Sequence, residues 1–190
     1  MSKTRIAAAL AIAAVIAGPV LLYAEQDSDP AALTRAVGQA KLPLEHGIAA
    51  SAAHGTPISA KYEFEDDDQD ELQLSVYTAN DGPGFSTDFE TGDVRSADPA
   101  FTEVIVDHTS GKIVKAVPIK DGGDLSDATS QNKAMSLAKR SLQDATASAV
   151  GANRGYRAVS AMPQVRDGRP VAEIGLTDGR TRKTVVERLD

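Results

Sequence analysis

Twice along this chain the spacing of apolar residues switches from helical to alternating. That switch confines the fold to helices laid on antiparallel strands. In the first instance Leu33, Val37 and Ala40 recur at helical spacing, and after Pro43 so do Leu44, Ile48 and Ala52. Asp29 is placed to cap the first turn and Pro30 to open it, while Pro43 is expected to interrupt or kink the helix near Lys41 and Gly55 to end it. Ile58, Ala60, Tyr62 and Phe64 are then expected on one side of a strand, and Leu72, Leu74 and Val76 on one side of the next. A closing hairpin is written in "FTEVIVDHTSGKIVKAVPI", residues 101–119. Val104 and Val106 share a face there, Ile105 takes the other, and Ile113 resumes the alternation. Asp107 can accept backbone N–H bonds in the turn, and Gly111 can adopt the left-handed conformation that closes it.

The second instance begins with a helix expected over Asp127–Val150, where Met135, Ala138, Leu142, Ala145 and Ala149 step by three and four and Gly151 and Asn153 can end it. Three strands follow, near Tyr156–Val165, Val171–Leu176 and Thr181–Leu189, with hairpin turns at Asp167-Gly168 and Asp178-Gly179. Pro163 cannot donate to a ladder, so its strand is expected at a sheet edge. The fold class expected is therefore α+β, as two tandem small modules, each a helix packed on a three-stranded antiparallel sheet. The modules span 25–119 and 130–190, joined by a linker at 120–129. Each is small enough to be marginal alone, so the two are expected to pack together. Two segments interrupt the plan in the first module: an acidic turn, "EDDDQDE", at 65–71, and a Gly/Pro/Asp/Ser-rich insertion at 80–100.

The address is legible at the start. Lys3 and Arg5 precede an apolar run from Ile6 to Ala24, broken by Gly18 and Pro19, which is the pattern of a secretory signal cleaved after Ala24. An uncleaved membrane anchor is the alternative, because the run is nearly long enough to span a bilayer. The chain is expected to be exported, periplasmic or secreted, with no integral span once residues 1–24 are removed. It contains no cysteine, so disulfide scaffolds, thiolate zinc sites and cysteine catalysis are excluded. Its formal net charge is −7, and losing Lys3 and Arg5 makes it more acidic still. Nucleic acid is excluded as a partner on that balance, since phosphate binding needs clustered Lys and Arg.

Candidate chemistry is sparse. Asp66, Asp68 and Asp70 alternate within the acidic run, but a calcium loop would need Gly and Glu where Glu71 and Tyr77 stand. The run is expected to be a solvated hairpin tip, with weak calcium capture left open. His46 and His54 lie eight residues apart, too far for a metal pair one helical turn apart, and His108 falls in a turn. Gly-x-Ser-x-Gly and His-Glu-x-x-His are absent, and Gly82-Pro83-Gly84 lacks the lysine and helix start of a phosphate loop. No catalytic, cofactor-binding or metal residue is nominated, no cofactor is expected, and the chain is not expected to be an enzyme. Open sheet edges are the favoured binding surface, without named residues, because a partner can add a strand there through backbone hydrogen bonds.

One resemblance adds to this. Gly55 follows a helix, Ile58 and Ala60 lie on the first strand, Tyr77 ends the second, and Val104-Ile105-Val106-Asp107 is followed by Gly111-Lys112. This run resembles the PepSY family, found in propeptides of thermolysin-like metallopeptidases and in bacterial envelope proteins, with Ser110 where the closing hairpin of that family has Thr. The second half is similar in plan, but its last turn, Thr177-Asp178-Gly179, lacks the hydroxyl-Gly-Lys signature. The resemblance implies a non-catalytic binding module with a protein partner in the cell envelope, a peptidase that it inhibits or regulates. The alternative is a periplasmic carrier holding a small ligand between the two modules. Oligomeric state is not legible.

Overall fold

Pro30 opens helix α1 (Pro30–Gln39), and the chain leaves it before Pro43, which has no N–H to continue the ladder. Helix α2 (Leu44–Ser51) starts directly after that proline, and a 3₁₀ turn (Ala52–His54) ends at Gly55. In this computed structural model the described residues are 30–65, 68–80, 84–87, 94–97 and 100–190. The leader at 1–24 and Asp29 lie outside them.

Among the described residues nine strands follow. They are β1 (Thr56–Glu65), β2 (Asp68–Ala79), β3 (Gly84–Thr87), β4 (Val94–Ala97), β5 (Phe101–Val106), β6 (Ile113–Pro118), β7 (Arg157–Arg166), β8 (Arg169–Thr177) and β9 (Arg182–Arg188). The β1–β2 ladder runs down to Glu65↔Asp68, so much of the acidic run is strand rather than turn; Asp66 and Asp67 lie outside the described residues. Within the expected insertion, β3 and β4 pair only with each other.

The expectation of two tandem modules with separate three-stranded sheets is overturned. Seven strands form one antiparallel sheet in the order β6-β5-β2-β1-β7-β8-β9. Separate sheets would leave the outer backbone groups of both β1 and β7 without partners, and an edge of that kind seeks another strand. Here the two edges satisfy each other, at Ala60↔Ala161 and Lys61↔Ser160. One sheet also gives the helices one core. Leu33 and Val37 of α1, Leu44 and Ile48 of α2, and Leu142, Ala145 and Ala149 of helix α4 (Leu142–Ala152) pack on Tyr62, Leu74, Val76, Val104, Ile174 and Leu176. Each fully buried Leu or Ile contributes about 1.5–3 kcal/mol there. Gly47 lets α2 settle onto the sheet: a Cβ at that position would stand 2.1 Å from Leu74 Cδ2.

Three local expectations change with it. The single helix over Asp127–Val150 is two helices, because the backbone N–H groups of Lys139 and Arg140 donate to Leu189 O (2.7 and 3.0 Å) and Ser141 caps α4 by accepting from the Asp144 N–H (3.0 Å). The earlier helix, α3 (Gly122–Ser136), is capped by Asp121 and begins inside the stretch expected as a linker. Ile58 leaves the face of Ala60 and Tyr62, because a bulge between Pro57 and Ser59 resets the alternation. It joins Tyr77, Ala79 and Phe101 in a second cluster, which Ala128 of α3 covers on the sheet's opposite side. Finally, Pro163 lies in an interior strand, not an edge strand. Its ladder to β1 covers only Ala161 and Ser160, so the proline stands where β7 is paired on the β8 side alone, to Ala172.

A polar clamp spans the two halves. Arg157 at the start of β7 donates through Nη1 to Ala40 O and through Nη2 to Leu42 O (3.1 Å), and the Tyr62 hydroxyl donates to Leu42 O. These carbonyls lie just past α1, where helix geometry supplies no partner. Burial pushes the Tyr62 hydroxyl pKa up to about 12, against the opposing charge of Arg157 and with a smaller contribution from Glu45. Arg157→Ala removes two charge-assisted bonds and is expected to lower unfolding free energy by about 2–3 kcal/mol, against about 1 kcal/mol for Tyr62→Phe. Urea denaturation of the two variants checks the order; an Arg157→Ala midpoint equal to wild type would refute the clamp.

Candidate functional site

The closing hairpin is built by its turn. Asp107 Oδ1 accepts from the N–H groups of Thr109 (3.0 Å) and Ser110, the Gly111 N–H donates to Asp107 O (2.9 Å), and Gly111 takes φ +73°. Those backbone bonds, chiefly from Ser110, hold the Asp107 carboxyl below its ordinary pKa. The turn delivers β6 to the outside of the sheet, where its other long edge has no partner in the sheet. Val114 is 68% exposed and Ile113 37% exposed; Lys112, Lys115 and Ala116 are exposed as well.

Hydrogen-bond phase decides what this edge offers. Ile119 N–H donates to Phe101 O (2.9 Å), which places Phe101 and Ile119 opposite each other at a hydrogen-bonded position. With the register Glu103↔Val117, Val104↔Ala116 and Ile105↔Lys115, bonded pairs alternate, so Val117 and Lys115 turn their backbone groups inward to β5. Ala116 turns its N–H and C=O outward. Pro118 also falls in an outward position and has no N–H to present, so it blunts that end of the edge.

The opposite edge is guarded differently. On β9, Lys183 Nζ sits 3.8 Å from the centroid of the Tyr156 ring, Glu187 pairs with Arg140 (3.0 Å) and Arg188 with Asp190 (2.8 Å). Charged, engaged side chains flank its backbone, the usual protection for an edge. By contrast, Lys115 on β6 and Lys112 and Lys120 just beyond its ends enter no ion pair among the described residues.

A polar layer lies on the sheet face that α3 crosses. Lys61 Nζ contacts Glu63 Oε2 (2.6 Å), and Ser75 Oγ donates to Glu103 Oε1 (2.6 Å). The Tyr77 hydroxyl hydrogen-bonds the Asp124 side chain. Burial raises the Glu63 pKa, opposed by Lys61 and reinforced by Glu103. Burial also raises that of Tyr77, with the Glu103 and Asp124 charges adding to it. Each carboxylate already has a hydroxyl or ammonium partner, so the layer orients α3 on the sheet rather than offering an acid–base pair.

The histidines occupy separate elements. His46 is exposed on α2, His54 ends the 3₁₀ turn and His108 lies in the β5–β6 turn. Among the described residues no group of three His, Asp or Glu is placed to share a metal ion, and no helix is long and apolar enough to cross a membrane. Of the glycine stretch at 82–84 only Gly84 is described, opening β3. The apolar stripe of α4 is the chain's own core. An open depression of about 540 Å³ lies beside α1, lined by Gln39, Lys41, Glu71, Leu72 and His108. The sequence reading nominated no residue of β6 for binding; its signal was three lysines and no acid from Lys112 to Lys120, on a stretch that otherwise reads as apolar strand. Comparison with known proteins finds no family model, no curated protein and no solved structure that matches the chain.

Glu63 gives a signed pH effect. Its folded pKa lies above the ordinary 4.5, so just above that pH the folded chain keeps a proton that the unfolded chain has lost. Unfolding free energy should therefore fall as pH rises from 4.5 through the raised value. Asp107, whose pKa is lowered from 3.8, acts in the opposite sense and below that pH. Urea midpoints across the carboxylate range should show the fall in wild type and its loss in Glu63→Gln; identical profiles would contradict the burial of this charge.

Proposed function

We propose that this chain is a non-catalytic binding module that accepts a segment of a partner protein as an added strand along β6. The observation that carries the reading is the asymmetry of the sheet edges: on β9 the exposed Val186 is flanked by engaged charges, whereas on β6 the more exposed Val114 and the outward-facing Ala116 backbone have no engaged charge beside them among the described residues. Strand addition draws affinity from backbone hydrogen bonds, which suits a surface without a deep pocket. The resemblance of the 101–119 hairpin to PepSY domains supports a peptidase, or its assembly, as the partner. The charged start and apolar run at residues 1–24 support the cell envelope as the place. A small-ligand carrier would need space between the halves, where β1 and β7 are in direct register, so strand addition is preferred.

The test is affinity capture from a native envelope extract with residues 25–190 as bait, comparing wild type with Ala116→Pro. Proline there removes an outward N–H and costs no bond within the sheet. Wild type is expected to recover a peptidase or its assembly and the variant to lose it while keeping the wild-type circular dichroism spectrum and Tm. Equal recovery by both, or none by either, would sink the reading.

A further inference from the structure

We infer that the segment β6 accepts is acidic: an extended stretch in which Glu or Asp alternates with β-branched residues, belonging to a different protein from this one. The inference rests on the strand-addition reading and adds the chemistry of the partner. Lys112, Lys115 and Lys120 bracket the outward Ala116 backbone on a run without a single carboxylate, in a chain whose net charge is −7. None of the three is ion-paired among the described residues, whereas on β9 Arg188 is paired with Asp190 and Lys183 lies over the Tyr156 ring. An exposed edge with unengaged lysines repels cationic and self-complementary strands and leaves an anionic one as the match.

The chain's own acidity does not cancel this. At physiological ionic strength charges are screened over about 8 Å, so a strand lying 4.7–4.9 Å from β6 is governed by the lysines beside it rather than by the distant net charge. A second copy of this chain is the poorer occupant. Antiparallel pairing of two β6 strands would gather both sets of lysines along one seam, and two acidic bodies would approach each other. Length is also limited. Pro118 closes one end and the bulge between Ile105 and Val106 disturbs the other, so the docked segment is short and its side-chain charges weigh heavily in its selection.

The experiment uses residues 25–190 and three blocked, dye-labelled peptides of about ten residues. One alternates glutamate with valine and threonine; the others carry glutamine or lysine in place of glutamate. Fluorescence anisotropy at low and high salt reads the affinities. Single exposed ion pairs are weak, so three together should give the glutamate peptide about a tenfold advantage over the glutamine peptide, shrinking as salt rises. The combined substitution Lys112→Gln, Lys115→Gln and Lys120→Gln should erase that advantage, and Ala116→Pro should abolish binding of both peptides. Equal affinities for the glutamate and glutamine peptides, with binding still lost in Ala116→Pro, would overturn the acidic preference and leave strand addition standing. Binding that survives Ala116→Pro, or no binding of any peptide, would overturn strand addition and the acidic preference together. Concentration-dependent dimerisation of the chain alone through β6, seen by analytical ultracentrifugation and lost in Ala116→Pro, would overturn the assignment to a foreign partner.

Discussion

The backbone seam between β1 and β7 is the contact on which the rest of the molecule depends. It consists of two paired positions, Ala60↔Ala161 and Lys61↔Ser160, bounded by a bulge at Ile58 on one strand and another between Ala158 and Ser160 on its partner. So short a ladder is weak alone, and what holds it shut lies on either side. Above it, α2 and α4 pack together over a shared apolar face. At its end, Arg157 from β7 takes the carbonyls that follow α1, so one guanidinium ties α1 to the second half of the chain. Below it, α3 crosses from Ala128 on Ile58 to Gln131 beside Met162 of β7. The seam is thus a consequence of packing as much as a cause of it.

Closing the seam decides which strands keep an open edge. Each half would carry two open edges as a free-standing sheet; joined, the sheet has two in all, β6 and β9. The chain guards one of these with charges held in pairs and a cation over a ring. The other it leaves apolar and lysine-lined, with Pro118 at one end and a bulge at the other. Edge exposure is hazardous for any β-protein, and the two edges meet it differently: β9 with engaged charges, β6 with lysines unpaired among the described residues, a proline and a bulge. The Asp107–Gly111 turn contributes by rigidity: three backbone N–H groups, of Thr109, Ser110 and Gly111, are held by one aspartate and present β6 in a fixed register.

Several features were legible because neighbouring residues decide them. Pro43 ends one helix and starts another, Gly55 and Gly111 mark turns where φ is positive, and Leu72, Leu74 and Val76 hold one face through plain alternation. Where the reading failed, a distant group had intervened. The helix expected to run through 127–150 breaks because Leu189, near the other end of its half, draws the N–H groups of Lys139 and Arg140. Ile58 changes face because a bulge shifts its register against Thr78 and Tyr77. Pro163 does what prolines do, avoiding a two-sided ladder, yet it sits in an interior strand because the neighbouring ladder stops two residues short of it. The candidate site was half legible: the hairpin was evident, but nothing local tells an edge strand from an interior one.

By itself, then, the order of amino acids determined most strands and the hairpin turns between them, since these follow from spacing and backbone freedom over a few residues. Only the tertiary structure decided that two meanders become one sheet, which strands remain edges, and that the lysines of β6 face outward beside an open backbone. The physical reason is that a strand's second edge carries the same N–H and C=O groups whatever its sequence. Its partner is chosen by what the rest of the fold brings within reach.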